Sequence, residues 1–124
     1  MSLSNSLSVG YGLSRVGFGI FASSRPVQMG RTWVGDDAER PGSEVILRAL
    51  GFRDIALGAG VTGAALNGDP RGWLAVSMLS DLGDVAATLI GRDRIEGRGV
   101  AITSAVAGAG ALAAGILLAA SNAE

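Results

Sequence analysis

The chain contains no cysteine, no histidine and no lysine. The first two absences exclude disulfide bonds, thiolate metal sites, cysteine nucleophiles, histidine acid–base catalysis and histidine-ligated haem or zinc. Without lysine, all ten basic side chains are arginines, and a net charge of −1 gives no support for nucleic-acid binding. No catalytic motif stands out in the chain, and we expect a protein that is not an enzyme and that uses no cofactor, metal or nucleic acid.

Charge is scarce and apolar residues are abundant. Charged residues make up 17% of the chain, hydrophobic residues make up 48%, and the mean hydropathy is +0.41. Residues 99–120 contain no charge at all. About 20 such residues, rising ~1.5 Å each, cross the ~30 Å hydrocarbon core of a bilayer. This segment therefore predicts a membrane span, and the short chain predicts one domain, residues 1–124.

Turn residues divide the rest of the chain. Pro41-Gly42 and the run Asn67-Gly68-Asp69-Pro70 separate segments that each have the length of a span. The pattern predicts an all-α, polytopic membrane protein, a four-helix transmembrane bundle with helices at about 3–23, 43–66, 70–90 and 99–120. Residues 24–42 are expected to form an interfacial loop between helices 1 and 2, with Trp33 at headgroup depth.

Arginine bias predicts the orientation. The connections 24–42 and 91–98 hold three arginines each, and the remaining connection and the two chain ends hold far fewer. These two connections share one side of a four-helix topology, and arginine-rich loops are typical of the cytoplasmic side. We therefore expect a multi-pass protein of the bacterial inner (plasma) membrane with both termini outside.

Six charged residues interrupt the apolar segments, and their charges cancel. They form a candidate intramembrane charge cluster consisting of Arg15, Arg48, Arg53, Asp54, Asp81 and Asp84. A lone charge at mid-bilayer costs at least ~2.5–3.5 kcal/mol, so charges at matching depths are expected to pair in the bundle interior. The depths suggest three pairs: Arg48 with Asp84, Arg53 with Asp81, and Arg15 with Asp54.

Helical spacing supports an inward polar face. Ser77, Asp81, Asp84 and Thr88 recur on one face of helix 3, and Tyr11 and Arg15 share a face of helix 1. We expect Tyr11, Ser77 and Thr88 to be supporting polar residues of the cluster, with Tyr11 either donating a hydrogen bond into it or packing by its ring alone. Two interpretations remain open: a structural salt-bridge network, or a polar cavity for a proton, ion or small solute in which Asp81 or Asp84 titrates. A different topology would instead expose these charges.

Small residues are frequent at four-residue spacing, which favours close helix packing in lipid. Examples are Ala107, Ala111 and Gly115 in helix 4, which has no charge. Besides the lipid bilayer, we therefore expect a partner in a second copy or a larger membrane complex, bound through helix 4. Packing within the monomer explains the same pattern.

The run from Arg48 to Gly60, R-A-L-G-F-R-D-I-A-L-G-A-G, resembles a signature of small bacterial four-helix integral membrane proteins of unknown function. Trp33-Val34-Gly35 and the paired aspartates of helix 3 add to the likeness. The resemblance implies the membrane bundle and no known activity. The expected role is a non-enzymatic structural or accessory membrane component. The alternatives are a small transporter or proton-coupled carrier that uses the cluster, and lipid or quinone binding between helices.

Overall fold

The computed structural model describes residues 1–124 as an all-α fold with five α-helices and no strand. The helices are α1 (Leu3–Ser24), α2 (Pro26–Val34), α3 (Pro41–Leu66), α4 (Arg71–Ile90) and α5 (Gly97–Ala123). Short 3-10 helices lie at Gly35–Glu39 and Arg92–Arg94. The four long helices match the predicted ones to within three residues at every boundary.

The prediction of a loop over residues 24–42 is wrong, because most of this segment is helical. Pro26 begins α2, where its missing N–H is not needed and its fixed φ suits a first helical turn. Met29 is buried, and it packs with Ala22, Ala38 and Leu47 in a small apolar cluster. The helix α2 is therefore packed against the end of the bundle.

Contacts near the chain ends show how the long helices run. The backbone N–H of Ser4 donates to Glu124 Oε1 at 3.4 Å, and the Asn5 side-chain amide donates to the Gly68 carbonyl at 3.3 Å. The Ser4 hydroxyl also donates to Glu124, which lowers the pKa of that carboxyl. The start of α1, the turn between α3 and α4, and the end of α5 therefore lie together. Both arginine-rich connections lie at the opposite end.

Glycines bring α1 and α3 into direct backbone contact. Gly12 and Gly19, two turns apart on α1, face Gly58 and Gly51 on α3. A Cβ on Gly19 would lie 2.5 Å from the Gly51 carbonyl oxygen, and one on Gly58 would lie 2.7 Å from the backbone nitrogen of Val16. No larger residue fits here, so these glycines set the close crossing of two antiparallel helices.

The helices α4 and α5 form a second antiparallel pair. A small buried apolar cluster consists of Leu74 of α4, Leu117 of α5 and Val61 of α3. The sulfur of Met78 packs against Gly115, which has no side chain. The α1/α3 pair and the α4/α5 pair then face each other across the interior. The polar side chains of the sequence lie in that space.

The distribution of polarity is inverted relative to a soluble protein. Large apolar side chains are exposed along the long helices, as in Leu3 (72%), Leu79 (64%) and Leu112 (66%). The buried polar and charged residues are Ser4, Ser8, Arg15, Ser23, Asp54, Ser77, Asp81 and Thr88. Water-soluble folds bury most large apolar side chains and leave most charged ones exposed.

Two helices, α4 and α5, are long and apolar enough to cross a membrane. Only 22% of the apolar window of each is buried inside the protein, whereas a core helix of a soluble protein would be mostly buried. The helix α1 is rich in serine and glycine, and α3 carries four charged residues and five glycines. Spans for α1 and α3, and hence the full transmembrane bundle, stay a prediction.

Candidate functional site

The candidate site is a buried arginine–aspartate network between the two helix pairs. The polar residues that share a face of α4 do point inward: Ser77, Asp81 and Thr88 are buried and Asp84 is half-buried. Arg15 of α1 is buried and lies opposite them. The helical spacing in the sequence therefore identified the correct faces of both helices.

Arg15 is the most heavily bonded cation. Its two terminal nitrogens donate to the two carboxylate oxygens of Asp81, each at 2.8 Å. One of them, Nη2, also donates to Asp54 Oδ1 at 2.8 Å, and the other, Nη1, donates to the Tyr11 hydroxyl at 3.0 Å. The side chains of Arg15, Asp54 and Asp81 are each 7–8% exposed. Such a two-pronged guanidinium–carboxylate pair fixes both position and orientation.

Arg53 makes a second two-pronged pair with Asp84, one turn of α4 away from Asp81. Its terminal nitrogens lie 3.0 and 2.7 Å from the two oxygens of Asp84. A longer contact of 3.4 Å joins Arg53 to Asp54 Oδ1. The five groups thus alternate in sign, in the order Asp81, Arg15, Asp54, Arg53, Asp84. We call these five residues the charge ladder.

Arg48 does not belong to the charge ladder, contrary to the prediction. It is exposed near the start of α3, where it donates to the Ser23 carbonyl at 2.9 Å and to Glu44 at 3.4 Å. The expected pair of Arg15 and Asp54 is present, whereas Asp84 pairs with Arg53 and Asp81 pairs with Arg15. The buried set therefore holds two arginines and three aspartates, and its formal charge is −1 rather than zero.

The excess negative charge lies at the middle carboxylate. Asp81 and Asp84 each receive two hydrogen bonds from one guanidinium, one on each oxygen. Asp54 shares both guanidinium groups with these partners, and both of its hydrogen bonds end on Oδ1. Its second oxygen, Oδ2, accepts no hydrogen bond. Asp54 is thus the least compensated member of the ladder.

The supporting polar residues behave differently from one another. Tyr11 accepts from Arg15, as described above. Thr88 donates to the Asp84 carbonyl at 2.7 Å and accepts from the indole nitrogen of Trp33 at 3.0 Å, so it ties α2 to α4. Ser77 is buried, and its hydroxyl has no hydrogen-bond partner. Of these three, only Tyr11 therefore forms a hydrogen bond with a side chain of the ladder.

A cavity of about 240 Å³ adjoins the charge ladder. All five ladder residues line it, together with apolar side chains from α1, α2, α3 and α5. Phe18 of α1 and Val106 of α5 also line it and are exposed (42% and 59%), so the cavity reaches the surface between these two helices. Met29 and Trp33 of α2 form its wall on the side of the arginine-rich connections.

The sequence did not identify the contributions of α2 and α5 to this cavity. Trp33 was expected at the membrane surface, and helix 4 was expected to offer a contact face. Trp33 also lines the cavity, as do Ala107 and Gly110 of α5, and a Cβ on Gly110 would collide with the carboxylate of Asp81. The only sequence signal was the small size of these residues, which is frequent throughout this chain.

Each carboxylate of the ladder pairs with a guanidinium group, and the chain has no group of three or more acidic side chains placed to hold a metal ion. Comparison of the chain with protein families, with curated proteins and with solved structures finds no match. The resemblance to small bacterial four-helix membrane proteins therefore stays a prediction.

Proposed function

We propose that this chain is an integral protein of a bacterial inner membrane, in which all four long helices span the bilayer. The observation that supports this most strongly is the inverted polarity described above: charges inside, large apolar side chains outside. In water, the exposed leucine, isoleucine, valine and phenylalanine side chains would lose most of the hydrophobic free energy that holds a soluble fold together. In lipid the same arrangement is favourable.

The placement of the other charges agrees with a bilayer. Apart from the five ladder residues, every charged residue lies in a connection, in α2, or within two turns of a helix end. The long helices have 22, 26, 20 and 27 residues, so each is at least ~30 Å long at ~1.5 Å per residue. An apolar belt of this height matches the ~30 Å hydrocarbon core.

Arginine distribution suggests the orientation. Seven of the ten arginines lie at the end that holds α2 and residues 91–98, and Arg71 alone lies at the opposite end. We propose that the arginine-rich end is cytoplasmic, which puts residues near Ser4 and Glu124 outside.

Within that membrane protein, the role that we propose for the charge ladder is to join the two helix pairs. The pair α1/α3 meets through glycine backbones, and the pair α4/α5 meets through small residues and a few leucines. Lipid supplies no hydrophobic force between these pairs, so side-chain packing and polar contacts hold them together. Arg15 and Arg53 cross that gap to Asp81 and Asp84. The protein is then a non-enzymatic structural or accessory component, with the exposed face of α5 as the surface for a second copy or a larger complex.

Reporter fusions test the location and orientation. Alkaline phosphatase joined after Asn67 or Glu124 should be active outside the cytoplasm, and a fluorescent protein joined after Asp93 should fold inside. The full chain should also stay in the membrane pellet after alkaline carbonate extraction. Release of the chain into the carbonate supernatant would contradict the proposal. Matched controls are the same reporters on a soluble cytoplasmic protein.

A second candidate function, a small carrier, is supported by one specific observation. The cavity touches all five ladder residues and opens between α1 and α5. A purely structural network would gain nothing from that space, because close packing stabilises a bundle more than a void does. In proteoliposomes a carrier would couple solute movement to a pH gradient, and a structural component would not.

A further inference from the structure

The unequal count of buried charges and the adjoining cavity together suggest what the site holds. The ladder has one carboxylate more than it has guanidinium groups, and the uncompensated one is Asp54. A net charge buried at bilayer depth is costly, so one positive charge must be supplied from outside the ladder. A proton on Asp54 supplies this positive charge and occupies almost no volume. A larger cation bound in the cavity supplies the same positive charge.

We propose that Asp54 exchanges a proton for a small hydrophobic ammonium cation bound in the cavity between α1 and α5. This inference rests on the membrane location proposed above. The cation enters while the Asp54 carboxyl releases its proton to water, so the formal charge of the filled site is zero in both states. No covalent bond other than the O–H bond changes.

The lining disfavours the other ligand classes. An anion would add to the excess negative charge, and the four terminal guanidinium nitrogens are already bonded to carboxylates. A bare metal cation needs several oxygen ligands, and Asp54 Oδ2 is the one carboxylate oxygen of the ladder without a partner. A neutral lipid or quinone would leave the charge uncompensated. An ammonium group with apolar substituents satisfies the carboxylate and the walls together.

The walls fit the apolar part of such a ligand. Phe18, Met29, Trp33 and Val106 surround the charged floor, and aromatic faces attract ammonium groups. At about 240 Å³ the cavity is smaller than the ~300–1,000 Å³ of drug-sized pockets, which indicates a ligand of about one ring and a small cationic head. In the proposed bilayer, the opening of the cavity between α1 and α5 faces the lipid, and a cation dissolved in the membrane would arrive from that side.

The pH dependence follows from the groups that face Asp54. These are Arg15 and Tyr11 on α1, Arg53 on α3, and Asp81 and Asp84 on α4, and neither α2 nor α5 adds a titratable group to the cavity. Both arginines stay charged, and Asp81 and Asp84 each have a full two-pronged partner. The proton released on binding therefore comes from Asp54. Cation affinity should rise with pH by up to about tenfold per unit while that proton is bound.

The test uses the full chain in nanodiscs of zwitterionic lipid, with radiolabelled benzyltrimethylammonium as the probe between pH 5 and 8. We expect saturable binding that strengthens as the pH rises, and no comparable competition by neopentylbenzene, its neutral isostere. Asp54→Asn should weaken binding at least tenfold and remove the pH dependence. The control Asp69→Asn, which removes a carboxylate at the bundle end, should bind like the parent chain.

A second variant, Ala107→Leu, keeps every charge and fills part of the cavity, so it should also weaken binding at least tenfold. It decides the question if Asp54→Asn does not fold. The proposal is overturned if the folded parent chain shows no saturable binding, if Asp54→Asn or Ala107→Leu binds as the parent does, or if neopentylbenzene competes equally. A chain that is found outside membranes overturns the proposed function instead, so the two failures are distinguishable.

Discussion

Replacing Arg15 with Met should be the most destabilising single change in the charge ladder. The change removes three charge-assisted hydrogen bonds of 2.8 Å, two to Asp81 and one to Asp54, and a fourth bond to Tyr11. It leaves one arginine against three aspartates, so the formal charge of the buried set changes from −1 to −2. Breaking a buried ion pair by removing one partner costs about 3–5 kcal/mol, and we expect a loss in that range.

The matched comparison is Asp54→Asn, which changes the same network in the opposite direction. It leaves two arginines against two aspartates, each joined by its two-pronged pair, so the formal charge becomes zero. The expected cost is that of one hydrogen-bonded group, about 1–3 kcal/mol. The double variant Arg15→Met with Asp81→Asn should recover stability relative to Arg15→Met, because it no longer leaves Asp81 buried without a partner.

Reversible unfolding of the purified chain by sodium dodecyl sulfate in mixed micelles, followed by circular dichroism, measures these differences in free energy of unfolding. The decisive quantity is the order of the variants. If Asp54→Asn destabilises the chain as much as Arg15→Met does, the assignment of the excess negative charge to the ladder is wrong. If Arg15→Met costs under 1 kcal/mol, the ladder does not hold the helix pairs together.

Three further predictions concern the helix crossing, α2 and the opposite end of the bundle. Gly51→Ala should cost about 1–3 kcal/mol, because its Cβ would lie 2.8 Å from the Gly19 carbonyl oxygen. The control Gly63→Ala, also in α3, meets nothing within 4 Å and should be neutral or stabilising in the same unfolding assay. Trp33→Phe should lose the hydrogen bond to Thr88, cost about 1 kcal/mol and speed proteolytic cleavage within residues 24–42; unchanged cleavage would refute the role of this bond in holding α2. Hydrogen bonds from Arg71 lower the pKa of the exposed Asp69 carboxyl from 3.8 to about 2. Because the pKa of Asp69 is lower in the folded chain than in the unfolded one, this contact stabilises the folded chain above about pH 4, and the stabilisation is lost as the pH falls toward 2. A carboxyl NMR titration should show a midpoint near 2 that returns toward 3.8 in Arg71→Ala.

The sequence determined the helices and their polar faces. Proline and glycine positions separated four long apolar segments, and those helices form with boundaries close to the expected ones. The spacing of Asp81 and Asp84 on α4, and of Tyr11 and Arg15 on α1, also predicted which sides turn inward. Both inferences depend on a fixed helical period and on local turn chemistry, which act over a few residues and so are readable from one chain.

Only the tertiary structure decided which charges meet. Depth along the helix made Arg48 the expected partner of Asp84, but rotation about α3 directs Arg53 toward α4 and leaves Arg48 beside Ser23. That rotation is set by the glycine crossing with α1, a contact between residues that are 32 positions apart for Gly19 and Gly51 and 46 apart for Gly12 and Gly58. The same packing of the helices also decides which carboxylate is in excess, where α2 packs and where the cavity forms. The physical reason is that a hydrophobic period specifies which face of a helix turns inward, whereas the partner across the interior depends on how closely each pair of backbones can approach.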